Sequence, residues 1–264
     1  MIMVVGATGN VGAPLVRMLS EAGEEVTAVS RHIAEAPPGV VVRQGELASL
    51  DFSGVSAVFL MVSGAFVPLD DVLARAEAAG VRKVVALSSQ GVATGRHPTV
   101  LEDSVRRSGL EWTLLQPGAF ASNTLQWAES IRSSREVVAP FADVALPVVD
   151  PSDIAAVAAV ALREDGHAGK SYVLTGPAPI TPREQAAAIG SAVGEPVRFI
   201  PQTRDEAHSF LSSFMPPEVV DVTLDVLGAP TPAEQEVSPD IERVLGRPPR
   251  PFAEWASRFA GAFK

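Results

Sequence analysis

The chain has 264 residues and a mass of 27.6 kDa, room for one large α/β domain or one domain with a smaller lobe. Hydrophobic residues at 47% and charged residues at 20% exclude general disorder, and the lack of cysteine excludes disulfides, thiolate metal sites and a cysteine nucleophile. A net charge of −10 speaks against a general nucleic-acid binder, and the four histidines (His32, His97, His167, His208) have no metal-ligand spacing, so no metal is expected.

The N-terminal stretch shows no basic leader, and the longest uncharged runs, residues 52–69 and 112–128, are broken by polar residues. No membrane span is therefore expected, and the composition suits a cytoplasmic protein. In chain order, Ile2–Val5 reads as a β-rich run that ends in a glycine cluster. Residues 14–22 then place Leu15, Val16 and Leu19 at helical spacing, with Gly23 as a stop. Residues 26–29, 40–43 and 57–62 follow as strands, the last wholly apolar, as in a strand covered on both faces. Residues 69–79 read as a helix, Lys83–Leu87 as a strand, residues 100–108 as a helix and 112–115 as a strand.

Such alternation predicts a Rossmann-like, doubly wound parallel sheet. Beyond residue 120 the pattern loosens. Residues 152–163 read as a helix capped by Ser152, Lys170–Leu174 as a strand, and residues 181–193 as a helix with Pro182 at its first position. From Gly194 onward prolines recur and short helices are expected. The expected division is a nucleotide-binding domain over residues 1–150, with 151–175 partly returning to it, and a smaller C-terminal α/β lobe over 176–264 on the substrate side.

The glycine loop is the first chemical signal. Gly6, Thr8, Gly9, Asn10, Val11 and Gly12 follow the first strand and open the first helix. In that frame Gly6 permits a tight turn, Gly9 lets the backbone approach a pyrophosphate, and Gly12 lets helix and strand pack closely. Amides at the helix start, with the positive end of its dipole, would face the phosphates. At the end of the second strand an NAD-preferring site usually carries an acid; here stand Ser30, Arg31 and His32. The Arg31 guanidinium suits a 2′-phosphate, with Ser30 as a second donor, so NADP(H) is favoured over NAD(H); the alternative is a solvated arginine.

Residues Gly6–Gly12 are similar to the opening of NmrA-like proteins, a group of atypical short-chain dehydrogenases/reductases. The resemblance continues in Gln44-Gly45-Glu46-Leu47, Leu87-Ser88-Ser89, Glu102, the run Ser108–Phe120, Asn123, Val149–Ala155 and Arg243–Trp255, and so spans nearly the whole chain. It implies that Glu46 and Leu47 flank the adenine and that Met61, Val62 and Ser63 line the nicotinamide ribose. It also implies that Pro117, Gly118, Ala119 and Phe120 meet the nicotinamide. Two departures stand out. The superfamily's Tyr-x-x-x-Lys pair is missing, since the one tyrosine is Tyr172 and no lysine lies between Lys83 and Lys170; Pro98 stands at the position where many NmrA-like proteins have lysine. Gln116 stands where relatives often have arginine.

An acceptor that takes hydride without a strong general acid fits these departures. A quinone is such an acceptor, because its reduced oxyanion is stabilised by aromaticity, and several NmrA-like proteins are quinone reductases. Polycyclic aromatic quinones of polyketide type belong to this class, and the hydroquinone formed can go on to react with oxygen. Candidate catalytic groups are Ser88, Ser89 and His97. Ser88, Ser89, Gln90 and Asn123 offer hydrogen bonds to a substrate oxygen. His97 is either a proton relay or a surface-loop histidine. Phe210, Leu211, Phe214 and Met215, with Phe120, Asn123 and Trp127, either wall a pocket for a flat aromatic ligand or are ordinary core. A non-catalytic redox sensor that binds the dinucleotide and reports to a protein partner is the second reading. The oligomeric state is left open.

Overall fold

The computed structural model describes the chain apart from residues 33–34, 63–67 and 214 and the side chain of Glu218. Two expected site residues, Ser63 and Phe214, lie outside the described residues. The elements run β1 (Ile2–Val5), α1 (Gly12–Glu21), β2 (Val26–Ser30), β3 (Val41–Gln44), β4 (Ala57–Leu60) and α2 (Asp70–Ala78). Next come β5 (Lys83–Leu87), α3 (Gln90–Ala93), α4 (Val100–Arg107), β6 (Glu111–Pro117), α5 (Ala128–Ser134) and β7 (Glu136–Pro140). Then follow α6 (Pro151–Arg163), β8 (Lys170–Leu174), α7 (Pro182–Val193), β9 (Arg198–Gln202) and α8 (Arg204–Leu211). The last are α9 (Pro217–Gly228), α10 (Pro232–Gln235), α11 (Asp240–Leu245) and α12 (Phe252–Arg258).

The chain divides into two compact units. The first comprises Met1–Pro117, Pro151–Leu174 and Pro239–Arg247. It holds a seven-stranded sheet in the order β3-β2-β1-β4-β5-β6-β8, every pair parallel. This is the expected Rossmann-like architecture. Strands β1 and β4, next to each other at the centre, are apolar and buried at all four positions, as a sheet covered on both faces requires. Helix α1 presents Leu15, Val16 and Leu19 to the core, each burial contributing about 1.5–3 kcal/mol. One core cluster gathers Met3, Val58, Leu60, Val84, Leu101, Val105 and Leu114.

The second unit comprises Gly118–Asp150, Thr175–Ser238 and Pro248–Lys264. Its two-stranded sheet pairs β7 with β9 in parallel, from Glu136↔Arg198 to Pro140↔Gln202. Thr181 caps α7 in a reciprocal box, its hydroxyl accepting from the Glu184 amide at 3.1 Å while the Glu184 carboxylate accepts from the Thr181 amide at 2.8 Å. The core of this unit gathers Trp255, Phe252, Phe263, Ile131 and Ile189. The Asp150 carboxylate, 2% exposed, pairs with Arg258.

Several expectations need correction. The units do not break at 150 and 176: the segment Gly118–Asp150 belongs to the second unit, and Pro239–Arg247 returns to the first. That return is fixed by tertiary bonds, from the Val173 amide to the Asp240 carboxylate at 2.9 Å and from Arg247 to the buried Asp153 at 2.7 Å. Strand β4 stops at Leu60 rather than residue 62. Ser152 is not a cap, because α6 already begins at Pro151. Helices after Gly194 are not all short, since α9 has 12 residues with Pro217 at its start.

Candidate functional site

Strand order reverses at β1, which lies between β2 and β4. An open α/β sheet binds ligands at the carboxyl ends of the strands beside such a reversal. Gly6 leaves β1 there with φ +79°, and its amide and that of Ala7 both donate to the Val29 carbonyl of β2 at 3.0 Å. The Gly9 amide donates to the Gly6 carbonyl at 2.9 Å, closing the turn. A Cβ on Gly12 would run into the Gly6 carbonyl oxygen, so the helix can start this close to the strand only with glycine.

Helix α1 opens at Val11 without a side-chain cap on its first amides and without an acid in its first turn. The Thr8 and Ser30 hydroxyls meet at 2.8 Å, tying the loop to the end of β2. A cradle of main-chain amides at a helix N-terminus, in a place where no Cβ fits, suits a dinucleotide diphosphate. The structure thus brings Gly6, Thr8, Gly9, Asn10, Val11, Gly12 and Ser30 to one end of the sheet.

Met61 directly follows β4 and reaches this loop. A Cβ built on Gly6 or Gly9 would lie 2.5 or 2.6 Å from its methyl carbon. The glycines therefore serve two purposes, main-chain approach and the seating of Met61, and the second was not legible in the sequence. Val62, next in the chain, packs on the core of the sheet. Arg31 is exposed, and among the described residues its guanidinium has no ion-pair partner; the Gln44 side chain fixes its carbonyl at 2.7 Å. Glu46 is exposed at the start of a short helical turn, Leu47–Ser49, and the Leu47 carbonyl accepts from Arg75 at 3.2 Å.

The ends of β5 and β6 carry the polar groups nearest in sequence to the expected chemistry. The Ser88 hydroxyl donates to the Glu102 carboxylate at 2.5 Å, and Gln116 Nε2 donates to the same oxygen at 2.8 Å. Arg106 pairs with the other oxygen at 2.7 Å, one helical turn along α4. Glu102 is 1% exposed, so this carboxylate is held by three donors out of water. It ties the carboxyl ends of two strands together, and Arg106 supplies the charge that Gln116 lacks. Sequence reasoning singled out Ser88 but not this cluster; the i,i+4 spacing of Glu102 and Arg106 was the available signal.

Ser89 faces another group: its hydroxyl lies 2.7 Å from His97 Nδ1. Gln90, at the start of α3, is 7% exposed. Pro117 ends β6, paired with Leu174. Tyr172 lies away from all of these. Its hydroxyl meets His167 Nδ1 at 2.9 Å in the turn before β8, at the amino end of the sheet. Burial, and then the charge of Asp240, push the phenol up, the wrong direction for a proton donor at neutral pH.

In the second unit, Gly118, Ala119 and Phe120 are half-buried. Phe120 bridges to Val149, with the Val149 amide donating to Ala119 at 2.8 Å. Asn123 is exposed, whereas Trp127 packs on the core around Trp255. Met215 and Leu211 pack on a small cluster of Ala207, Val220 and Leu224, the core alternative for these two, while Phe210 is 57% exposed on α8. The described residues contain no group of three or more side chains arranged to hold a metal ion and no helix long and apolar enough to cross a membrane.

Comparison with known proteins agrees with this geometry. A family model described as NAD(P)H-binding matches residues 6–165. The chain is 39% identical, over all of its length and 99% of the relative, to a (4-alkanoyl-5-oxo-2,5-dihydrofuran-3-yl)methyl phosphate reductase of Streptomyces griseus. It is 35% identical, over all of its length and 99% of the relative, to an NAD(P)H azoreductase of Xenophilus azovorans.

Among solved structures, an NADPH-dependent quinone oxidoreductase from Escherichia coli, complexed with NADPH, superposes with a TM-score of 0.79. Its identity is 26%, across 98% of this chain and 99% of that one. The negative transcriptional regulator NmrA, in complex with NADP, shares the fold at a TM-score of 0.76 and 21% identity, across 98% of this chain and 95% of that one. The resemblance read from the motifs is therefore borne out, and the chain is related along its whole length to NAD(P)H-dependent reductases. With the family model matching from the first glycine of the loop through α6, the chain belongs to the NAD(P)H-binding family.

Proposed function

We propose that this protein is an NADPH-dependent reductase that delivers hydride to a quinone or polycyclic aromatic carbonyl acceptor. The observation that carries the reading is the uncapped start of α1 behind a glycine loop that admits no Cβ, in a chain related over its full length to reductases. The bound nicotinamide supplies the hydride. The chain's own part is to hold and orient it. The amides of Val11 and Gly12 take the diphosphate, and Arg31 takes the 2′-phosphate, which sets the preference for NADP(H). Glu46 and Leu47 flank the adenine. Met61 and Val62 line the ribose on the nicotinamide side, and Pro117, at the end of β6, meets the nicotinamide. Hydrogen bonds to the acceptor oxygen come from Ser89 and Gln90, while Ser88 is held by Glu102.

The names of the relatives support an electrophilic π-acceptor: a quinone in one, an azo group in another, an unsaturated furanone in a third. Each of the three is an unsaturated, polarised group open to hydride attack. Incubation with NADPH and a panel of quinones, azo dyes and butenolides, followed by loss of reduced-nicotinamide absorbance, tests the reading. Turnover of quinones with NADPH preferred over NADH is expected. Tight binding of the oxidised dinucleotide without turnover of any acceptor would overturn it in favour of a sensor.

A further inference from the structure

We infer that Ser89 and His97 form a proton relay that does the work of the missing tyrosine. The relay rests on the reductase reading above. Ser89 lies two residues beyond β5, in extended backbone at the start of α3, on the strand next to β4. That is the ligand-facing end of the sheet, since Met61 after β4 already touches the glycine loop.

Its hydroxyl oxygen and His97 Nδ1 are 2.7 Å apart, a hydrogen bond of ordinary length. The imidazole is locked in place. The Arg96 and His97 amides donate to the Gly91 carbonyl at 2.8 and 2.9 Å, and the ring lies where a Cβ on Gly91 would collide with it. Only glycine at that position lets the ring reach Ser89. The neighbouring Ser88 hydroxyl is already donated to Glu102, and Tyr172 is bonded to His167 at the other end of the sheet. Of these hydroxyls, Ser89 alone adjoins both the expected chemistry and an imidazole.

The step balances as follows. Hydride passes from the reduced nicotinamide to the acceptor, leaving an oxyanion. The Ser89 O–H bond breaks as its proton passes to that oxygen, and the Nδ1–H bond of protonated His97 breaks as its proton replaces it on Ser89. Solvent then returns a proton to the ring. One hydride and one proton reach the acceptor, giving the neutral reduced product and oxidised dinucleotide. Ser89 is the catalytic residue, and His97 acts through it as a positioning and proton-supplying residue.

Three variants and one spectroscopic reading test this. His97→Asn keeps a nitrogen donor near the Nδ1 position but cannot pass a proton. Its kcat is expected to fall about 10²-fold, the low end of a general acid's contribution, with NADPH affinity and melting temperature unchanged. Ser89→Ala is expected to lose a similar factor. Free imidazole is expected to restore kcat in His97→Ala, a rescue that a merely structural histidine would not show.

In the apo protein, nitrogen-15 NMR of labelled histidine is expected to find a proton on His97 Nδ1 whose signal moves in Ser89→Ala. Full kcat in His97→Asn and Ser89→Ala would overturn the relay while leaving the reductase reading intact. So would a loss that imidazole does not rescue, or an Nδ1 that carries no proton. Absence of turnover in the unsubstituted protein would overturn both.

Discussion

The amino end of the seven-stranded sheet and the β1–α1 loop at its carboxyl end use their polar atoms differently. At the amino end, side chains close loops onto each other. Lys83 donates to the Glu164 carbonyl at 2.7 Å, Thr113 to the His167 carbonyl at 2.9 Å, and Tyr172 meets His167. The N-terminal ammonium donates to Ser56 at 3.3 Å. At the carboxyl end, by contrast, the loop between β1 and α1 has glycine where side chains would stand, and Val11 gives the helix start no side-chain cap. Buried polar groups are nearly always paired, as those of the first end are by folding, whereas the glycine loop at the second fits the dinucleotide diphosphate of the proposed function. The difference teaches where to expect binding and where to expect only stability.

The largest effect should come from Gly12→Ala. The added methyl meets a backbone oxygen that cannot swing aside, so the loop must move. Calorimetry should show NADPH binding lost by at least about 10²-fold, roughly 3 kcal/mol. If binding survived, the loop would be a turn with no ligand and the contrast between the two ends would fail. Glu102→Ala sits next in size. It leaves the half-buried Ser88 and buried Gln116 donors without their acceptor, so stability should fall by about 2–3 kcal/mol in chemical denaturation. The comparison is sharpened if kcat falls as well, because the same carboxylate ties the ends of β5 and β6.

Much of this was legible in the residues, for physical reasons. The runs Ile2–Val5, Lys83–Leu87 and Lys170–Leu174 are short, end in apolar residues and have sharp boundaries, and their predicted ends match the structure. Thr181, Pro182 and Glu184 announce α7 by capping chemistry that is local. Strands β7 and β9 were missed because each carries proline and exposed positions, and each exists only by pairing with the other about sixty residues away. The return of Pro239–Arg247 to the first unit depends on bonds to Val173 and Asp153 that no sequence window contains. At the site, the glycine loop is a contiguous motif and was readable. The Ser89–His97 contact requires the chain to fold back at Gly91 and was not.

Arg31→Glu tests the 2′-phosphate assignment. The guanidinium is exposed, so its removal should leave stability unchanged. The preference for NADPH over NADH should fall by about 10–10²-fold, the value of one charge-assisted hydrogen bond of about 1.5–3 kcal/mol. The ratio of the two dissociation constants is the measurement. An unmoved ratio would assign Arg31 to solvent and leave the choice of dinucleotide to other residues.

The smallest effects belong to the amino end, and they ask whether that end is purely structural. Tyr172→Phe removes one hydrogen bond to His167 and should cost about 1 kcal/mol while kcat stays at the unsubstituted value. A large loss of kcat would mean that the two ends are not separate in function. His167 adds a pH signature. Burial, its main influence, lowers its pKa from 6.5 in the folded chain. Below that value the unfolded chain takes up a proton more readily than the folded one, so this contribution to stability is full above about 6.5 and lost as the pH falls through the depressed folded value. His167→Gln should flatten that part of the stability profile and leave the profile of kcat unaltered. A kcat profile that shifted instead would place a titrating group of the reaction at the end of the sheet where all these bonds say folding alone is served.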